Sequence, residues 1–132
     1  MADSALPDPS MTNGPRLVPE LVQPAWTTRQ GLLEIRVANV AGHWTIALRG
    51  ELDLSNVEAF ERELRSAEAA GDGTVTIDLA GLDFIDSSGL HVILRAHHHS
   101  RLGRRLRLVK GKRAVQSVFQ LTQTEDRLPF VE

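Results

Sequence analysis

The chain has 132 residues, 42% of them hydrophobic and 24% charged, which suits one domain with a core of ordinary size. A net charge of −2 gives no global attraction to nucleic acid or to an anionic membrane surface, so partners have to be read from local features. The absence of cysteine excludes disulfides, thiolate metal sites and cysteine nucleophiles, and no segment approaches the roughly 20 apolar residues of a membrane span.

The start of the chain carries Asp3 and has neither a basic opening nor an apolar stretch, which reads as a soluble, cytoplasmic protein. Residues 1 to 30 hold five of the six prolines (Pro7, Pro9, Pro15, Pro19 and Pro24) without sustained periodicity. A flexible, loosely attached leader is expected there, with Trp26, Leu17, Val18, Leu21 and Val22 as its apolar residues. A single domain then runs over residues 31–132.

Leu33, Ile35 and Val37 alternate with polar residues, and after Ala41-Gly42 the run Trp44-Thr45-Ile46-Ala47-Leu48 repeats the period of two. Two strands joined by a turn follow. Past Gly50-Glu51-Leu52-Asp53, Ser55 with Glu58 three residues later fits a capping box, and Val57, Phe60, Leu64 and Ala67 mark one helical face. Gly71-Asp72-Gly73 ends this helix, and Thr74 to Leu79 is a β-branched strand. Asp83-Phe84-Ile85 leads into Asp86-Ser87-Ser88-Gly89, after which Leu90, Ile93, Leu94 and His97 recur at helical spacing. The serines therefore sit where a strand exit becomes a helix start. Gly103 closes the second helix; Leu106, Leu108 and Val109 suggest a strand, Val115, Val118 and Phe119 a third amphipathic helix, and Leu128 to Val131 a last short strand. The order β-β-α-β-α-β-α-β implies an α/β sheet whose later strands are parallel, preceded by a hairpin.

Ser87 and Ser88 behind Asp86 have a plain structural reading, because Ser and Asp are favoured helix N-caps. The functional reading adds that a hydroxyl here stands near solvent at the positive end of a helix dipole, where a phosphate can accept backbone N–H bonds. Phosphorylation would add about −1.5 to −2 charges beside Asp86 and Asp83, with Glu51 and Asp53 in reach, so an interface would fail while the fold survives. A serine hydrolase fits poorly. Its nucleophile elbow has glycine two residues on either side of the serine, whereas Ser87 has Ile85 and Gly89, and Ser88 has Asp86 and Leu90. His97, His98 and His99 are consecutive and point about 100° apart on a helix, so they cannot share one ion and read as a solvated face. His43 is isolated and reads as structural. Arg101, Arg104, Arg105, Arg107, Lys110, Lys112 and Arg113 place seven of the fifteen basic residues in one segment without interleaved aromatics, which reads as a solvated edge rather than a nucleic-acid site. No Gly-rich phosphate loop is present, and no cofactor or metal is indicated.

Two motifs, Gly50-Glu51-Leu52-Asp53 and Ile77-Asp78-Leu79-Ala80-Gly81-Leu82-Asp83-Phe84-Ile85-Asp86-Ser87-Ser88-Gly89-Leu90, together resemble the STAS domain of anti-sigma factor antagonists. The resemblance implies a STAS fold, a mixed α/β sheet of four to five strands with three or more helices packed mainly on one side, and no enzymatic activity. It further implies that the unphosphorylated chain binds an anti-sigma factor that is also a GHKL-type serine kinase, freeing a sigma factor. The kinase then phosphorylates and releases the antagonist, and a PP2C-type phosphatase resets it. Carried over by position, Ser87 is the phosphoacceptor, and Glu51, Asp53, Asp86, Ser88, Gly89 and His91 belong to the partner-binding surface. The chain departs from the family pattern at His91, where many relatives have glycine, and around Leu121-Thr122-Gln123, where a Gly-Leu is common. The alternative reading is a non-switching STAS scaffold subunit of a lipid-transport or stressosome assembly, with Ser87 only a helix cap.

Overall fold

A computed structural model describes residues 22–99 and 103–131. Six strands form one sheet in the order β1-β2-β3-β4-β5-β6. β2 (Leu33–Val40) pairs antiparallel with both β1 (Val22–Gln30) and β3 (His43–Leu52), and β4 (Val75–Ile85), β5 (Leu106–Val109) and β6 (Phe130–Val131) are added in parallel. The parallel steps are carried by three helices, α1 (Val57–Ala69), α2 (Ser87–His99) and α3 (Arg113–Leu121).

Side-chain alternation decides which face is covered. Leu33, Ile35 and Val37 of β2, Ile46 and Leu48 of β3, Ile77 and Leu79 of β4 and Leu106 and Leu108 of β5 are all buried. Their neighbours Arg36, Thr45, Arg49 and Arg107 point to the exposed face. Phe60 and Leu64 of α1, Ile93 of α2 and Val115 and Phe119 of α3 complete the same single core. A sheet polar on one face and apolar on the other thus holds its helices on the apolar side, as the α/β expectation required.

The N-terminal boundary differs from the expectation. Residues 22–30, assigned to the flexible leader, are an edge strand, which raises the sheet from four or five strands to six. Pro24 is accommodated because the β1–β2 register shifts between Val22 and Ala25, and a proline is tolerated at such an irregularity on an edge. Trp26 docks on the domain: its ring meets that of Trp44 edge-on at 5.8 Å, and its indole N–H donates to Glu63 Oε1 of α1 at 3.3 Å. Residues 1–21, the remainder of the leader, lie outside the described residues.

The strand read as Thr74 to Leu79 continues to Ile85, because register shifts after Ala47 and after Gly50 let β4 stay paired beside β3 up to Leu52. Gly50 sits at φ +95°, and a Cβ there would lie 2.0 Å from the Leu32 carbonyl oxygen, so only glycine fits. The capping box does not form. α1 starts at Val57 after Asn56, and the Ser55 hydroxyl turns back to Asp53 Oδ1 at 2.6 Å. His43 is structural, its Nδ1 accepting the Thr74 N–H at 3.1 Å.

Candidate functional site

β3 and β4 both end in an Asp-x-Ser turn that starts a helix, and the two turns use the same hydrogen-bond device. Asp53 Oδ1 accepts the backbone N–H of Ser55 at 2.9 Å and its hydroxyl at 2.6 Å. Asp86 Oδ1 accepts the backbone N–H of Ser88 at 2.9 Å and its hydroxyl at 2.5 Å, together with the N–H of Gly89 at 3.3 Å. Asp86, which satisfies otherwise orphaned amides at the start of α2, is a strong cap, whereas the Asp53 turn lies ahead of the Asn56 that precedes α1.

The two turns are joined. The Leu54 N–H donates to Asp86 Oδ2 at 3.2 Å, and the Asp86 N–H donates to the Leu52 carbonyl at 3.1 Å. Asn56, almost fully buried, locks the first turn by accepting the Asp53 N–H and donating to the Glu51 carbonyl, both at 2.9 Å. Burial is the largest single influence on the Asp86 carboxyl and raises its pKa. The bonds from the Ser88 hydroxyl and the Gly89, Leu54 and Ser88 amides together outweigh burial and hold the carboxyl below its ordinary range.

The two adjacent serines have opposite environments. Ser88 is half-buried with its hydroxyl committed to Asp86, whereas Ser87 is exposed and its hydroxyl has no hydrogen-bond partner among the described residues. In the first turn of α2, Asp86 takes the backbone N–H groups of Ser88 and Gly89. Gly89 is buried because its Cα faces Leu52 and Ile85, and a Cβ would lie 2.7 Å from Leu52 Cδ2.

Asp86, Ser87, Ser88 and His91 line an open groove of about 440 Å³ between α1 and α2. Its apolar floor is Val57 and Val92, with Leu54 at its edge, and its far end carries an ion pair between Arg95 and Glu61 at 2.7 Å. Leu54 is 76% exposed beside the serines. Sequence reading passed over this residue, although an apolar side chain inside a polar turn is a signal of contact surface. Asp53 does not line the groove, its carboxylate being bonded to Ser55, and Glu51 belongs to the strand end, paired with Phe84. Asp83 does not add to the charge around Ser87: it pairs with Lys112 and lines a separate depression with Arg49 and Gly81.

Three of the seven residues of the basic segment are engaged within the fold, and Arg101 lies outside the described residues. The Arg105 Nε–H donates to the Gly73 carbonyl, Lys112 pairs with Asp83, and Lys110 lies 4.0 Å from Glu125. No cluster of three His, Asp or Glu side chains suited to a metal occurs among the described residues, and none of their helices is long and apolar enough to cross a membrane.

Comparison with known proteins agrees with this architecture. BtrV of Bordetella bronchiseptica, named as a candidate anti-sigma factor antagonist, is 29% identical over 68% of this chain and 78% of its own length. The anti-sigma factor antagonist SpoIIAA, solved in its unphosphorylated form, superposes with a TM-score of 0.61 at 25% identity, covering 74% of this chain and 88% of that one. An anti-sigma factor antagonist from Mycobacterium paratuberculosis shares the fold, with a TM-score of 0.67 at 20% identity over 74% of this chain and 84% of that one. The STAS domain family matches residues 34–132, a span that contains both Asp-x-Ser turns and the groove between them, and the chain belongs to that family.

Proposed function

We propose that this protein is an anti-sigma factor antagonist whose docking surface is the groove between α1 and α2 and whose switch is phosphorylation of Ser87. The observation that carries the assignment is the contrast between the two serines. Ser87 is exposed with an uncommitted hydroxyl, while Ser88 is tied to Asp86. A kinase reaching this turn meets one free nucleophilic oxygen, and modifying it leaves the cap of α2 in place.

In this reading the unphosphorylated chain binds an anti-sigma factor, itself a serine kinase of the GHKL type, and so frees a sigma factor. Leu54 and the apolar floor supply contact area, and Asp53 and Asp86 shape the turns that present it. Phosphorylation by the bound kinase adds about −1.5 to −2 charges beside the Asp86 carboxylate, and desolvating that charge at the interface opposes re-docking. A PP2C-type phosphatase then restores the binding form. The role is one of binding rather than catalysis, as in the STAS anti-sigma factor antagonists. SpoIIAA is described in its unphosphorylated form, which makes phosphorylation a variable of that relative.

The test is site-resolved mass spectrometry after incubation with the cognate anti-sigma kinase and ATP. One phosphate on Ser87, abolished by Ser87→Ala and retained by Ser88→Ala, is the expected result. Phosphate elsewhere with Ser87 untouched leaves the helix-cap reading and the scaffold role that goes with it.

A further inference from the structure

A phosphate on Ser87 finds few donors waiting for it. At the head of α2 the N–H groups of Ser88 and Gly89 donate to Asp86 Oδ1, and that of Leu90 donates to the Asp86 backbone carbonyl at 3.1 Å. Positive charge that the chain itself offers this phosphate therefore comes from side chains. Two side chains able to carry positive charge line the same groove, His91 and Arg95. Arg95 lies two turns from Ser87 and is held by Glu61 of α1 at 2.7 Å. His91 lies one turn away, exposed, with no hydrogen bond or ion pair among the described residues.

The geometry of the helix favours His91. Residues at i and i+4 share a face about 5–6 Å apart, and Cβ atoms tilt toward the helix N-terminus, so the imidazole at 91 leans back over the turn that carries Ser87. An acid on the N-terminal side of a base at this spacing is the better orientation of such a pair. The other charged groups facing His91 are Asp86 at the helix head and Glu61 and Arg95 at the far end of the groove, the last two neutralising each other.

Resting on the reading of Ser87 as the phosphoacceptor, we propose that His91 is the intramolecular receptor of the Ser87 phosphate, drawing it along α2 into the docking groove. The consequence is a second means of switching off. The phosphorylated chain does not merely carry charge at the rim: its phosphate and the His91 ring cover the apolar lining of Leu54, Val57 and Val92 that the partner needs.

The probe is the full chain with phosphoserine installed at position 87 during translation, followed by ³¹P NMR across a pH series. In the otherwise unaltered chain the phosphate should lose its second proton about 0.3 pH units lower than in His91→Gln, roughly a twofold change in proton affinity. His91→Lys, which keeps a cation at this position, should retain the lowered midpoint, and Arg95→Gln should leave it unmoved. Equal midpoints with and without His91, or a shift that follows Arg95 instead, would overturn the assignment. Since no kinase takes part, failure here removes His91 from the account and leaves Ser87 phosphorylation standing, whereas failure of the kinase experiment removes the switch itself.

Discussion

The backbone N–H of Leu54 donates to Oδ2 of Asp86 across 3.2 Å, so the carboxylate that caps α2 also pins the turn entering α1. One side chain thereby fixes both walls of the groove, with Oδ1 serving its own helix and Oδ2 the neighbouring turn. Loss of Asp86 is expected to loosen the docking surface as well as the fold.

Asp86→Ala should cost about 1–2 kcal/mol, the usual range for a capping carboxylate, and chemical denaturation measures it. Because the folded-state pKa of Asp86 is lowered, the unfolded chain binds the proton more tightly. The stability Asp86 contributes is therefore complete above the unfolded value near 3.8 and is lost as pH falls through the folded one. The gap between the native chain and Asp86→Asn should narrow on acidification below about pH 4, and a gap that widened there would reverse the assignment.

The serine pair should respond unequally. Ser88→Ala removes a hydroxyl bonded to Asp86 at 2.5 Å and should destabilise by about 1 kcal/mol. Ser87→Ala alters an exposed, unbonded hydroxyl and should stay within about 0.5 kcal/mol of the native chain. Urea midpoints of the two variants decide the order.

At Gly89 two effects compete. Alanine gains up to about 1 kcal/mol of helix propensity over glycine, but its Cβ would lie 2.7 Å from Leu52 Cδ2 and 2.9 Å from Ile85 Cγ1. Both neighbours are fully or almost fully buried, and overpacking of this kind costs roughly 1–3 kcal/mol, so steric overlap wins. Gly89→Ala should lower the thermal midpoint; a raised midpoint would show that Leu52 can yield.

Trp26→Ala tests whether β1 is part of the domain. The ring is 36% exposed and contacts Trp44, so its loss should cost about 1–2 kcal/mol and change the near-ultraviolet signal of Trp44. Unchanged stability and spectrum would return residues 22–30 to the leader.

Much of the fold was legible because β2, β3 and the start of β4 obey a strict period of two, and because α1 repeats Val57, Phe60, Leu64 and Ala67 along one face. β1 was not legible. Its Pro24 and polar Thr27-Thr28-Arg29-Gln30 give no alternation, and an edge strand held by Trp26 and backbone pairing has little need of one. The capping box failed because Ser55 is competed for by Asp53, a local contest that spacing alone cannot judge. At the site, Asp86, Ser87, Ser88 and His91 were readable from the motif. Leu54, Glu61 and Arg95 were not, since they reach the groove by the packing of α1 on α2.

In the proposed switch, phosphate on Ser87 blocks docking without unfolding the protein. Its most direct measurement is the affinity of the purified anti-sigma partner for the unmodified chain and for the chain carrying phosphoserine at 87, with thermal midpoints recorded for both. The expected result is at least a tenfold weaker complex, about 1.4 kcal/mol, with the thermal midpoint nearly unchanged. Equal affinities for the two forms, or weakening that appears only together with unfolding, would contradict it.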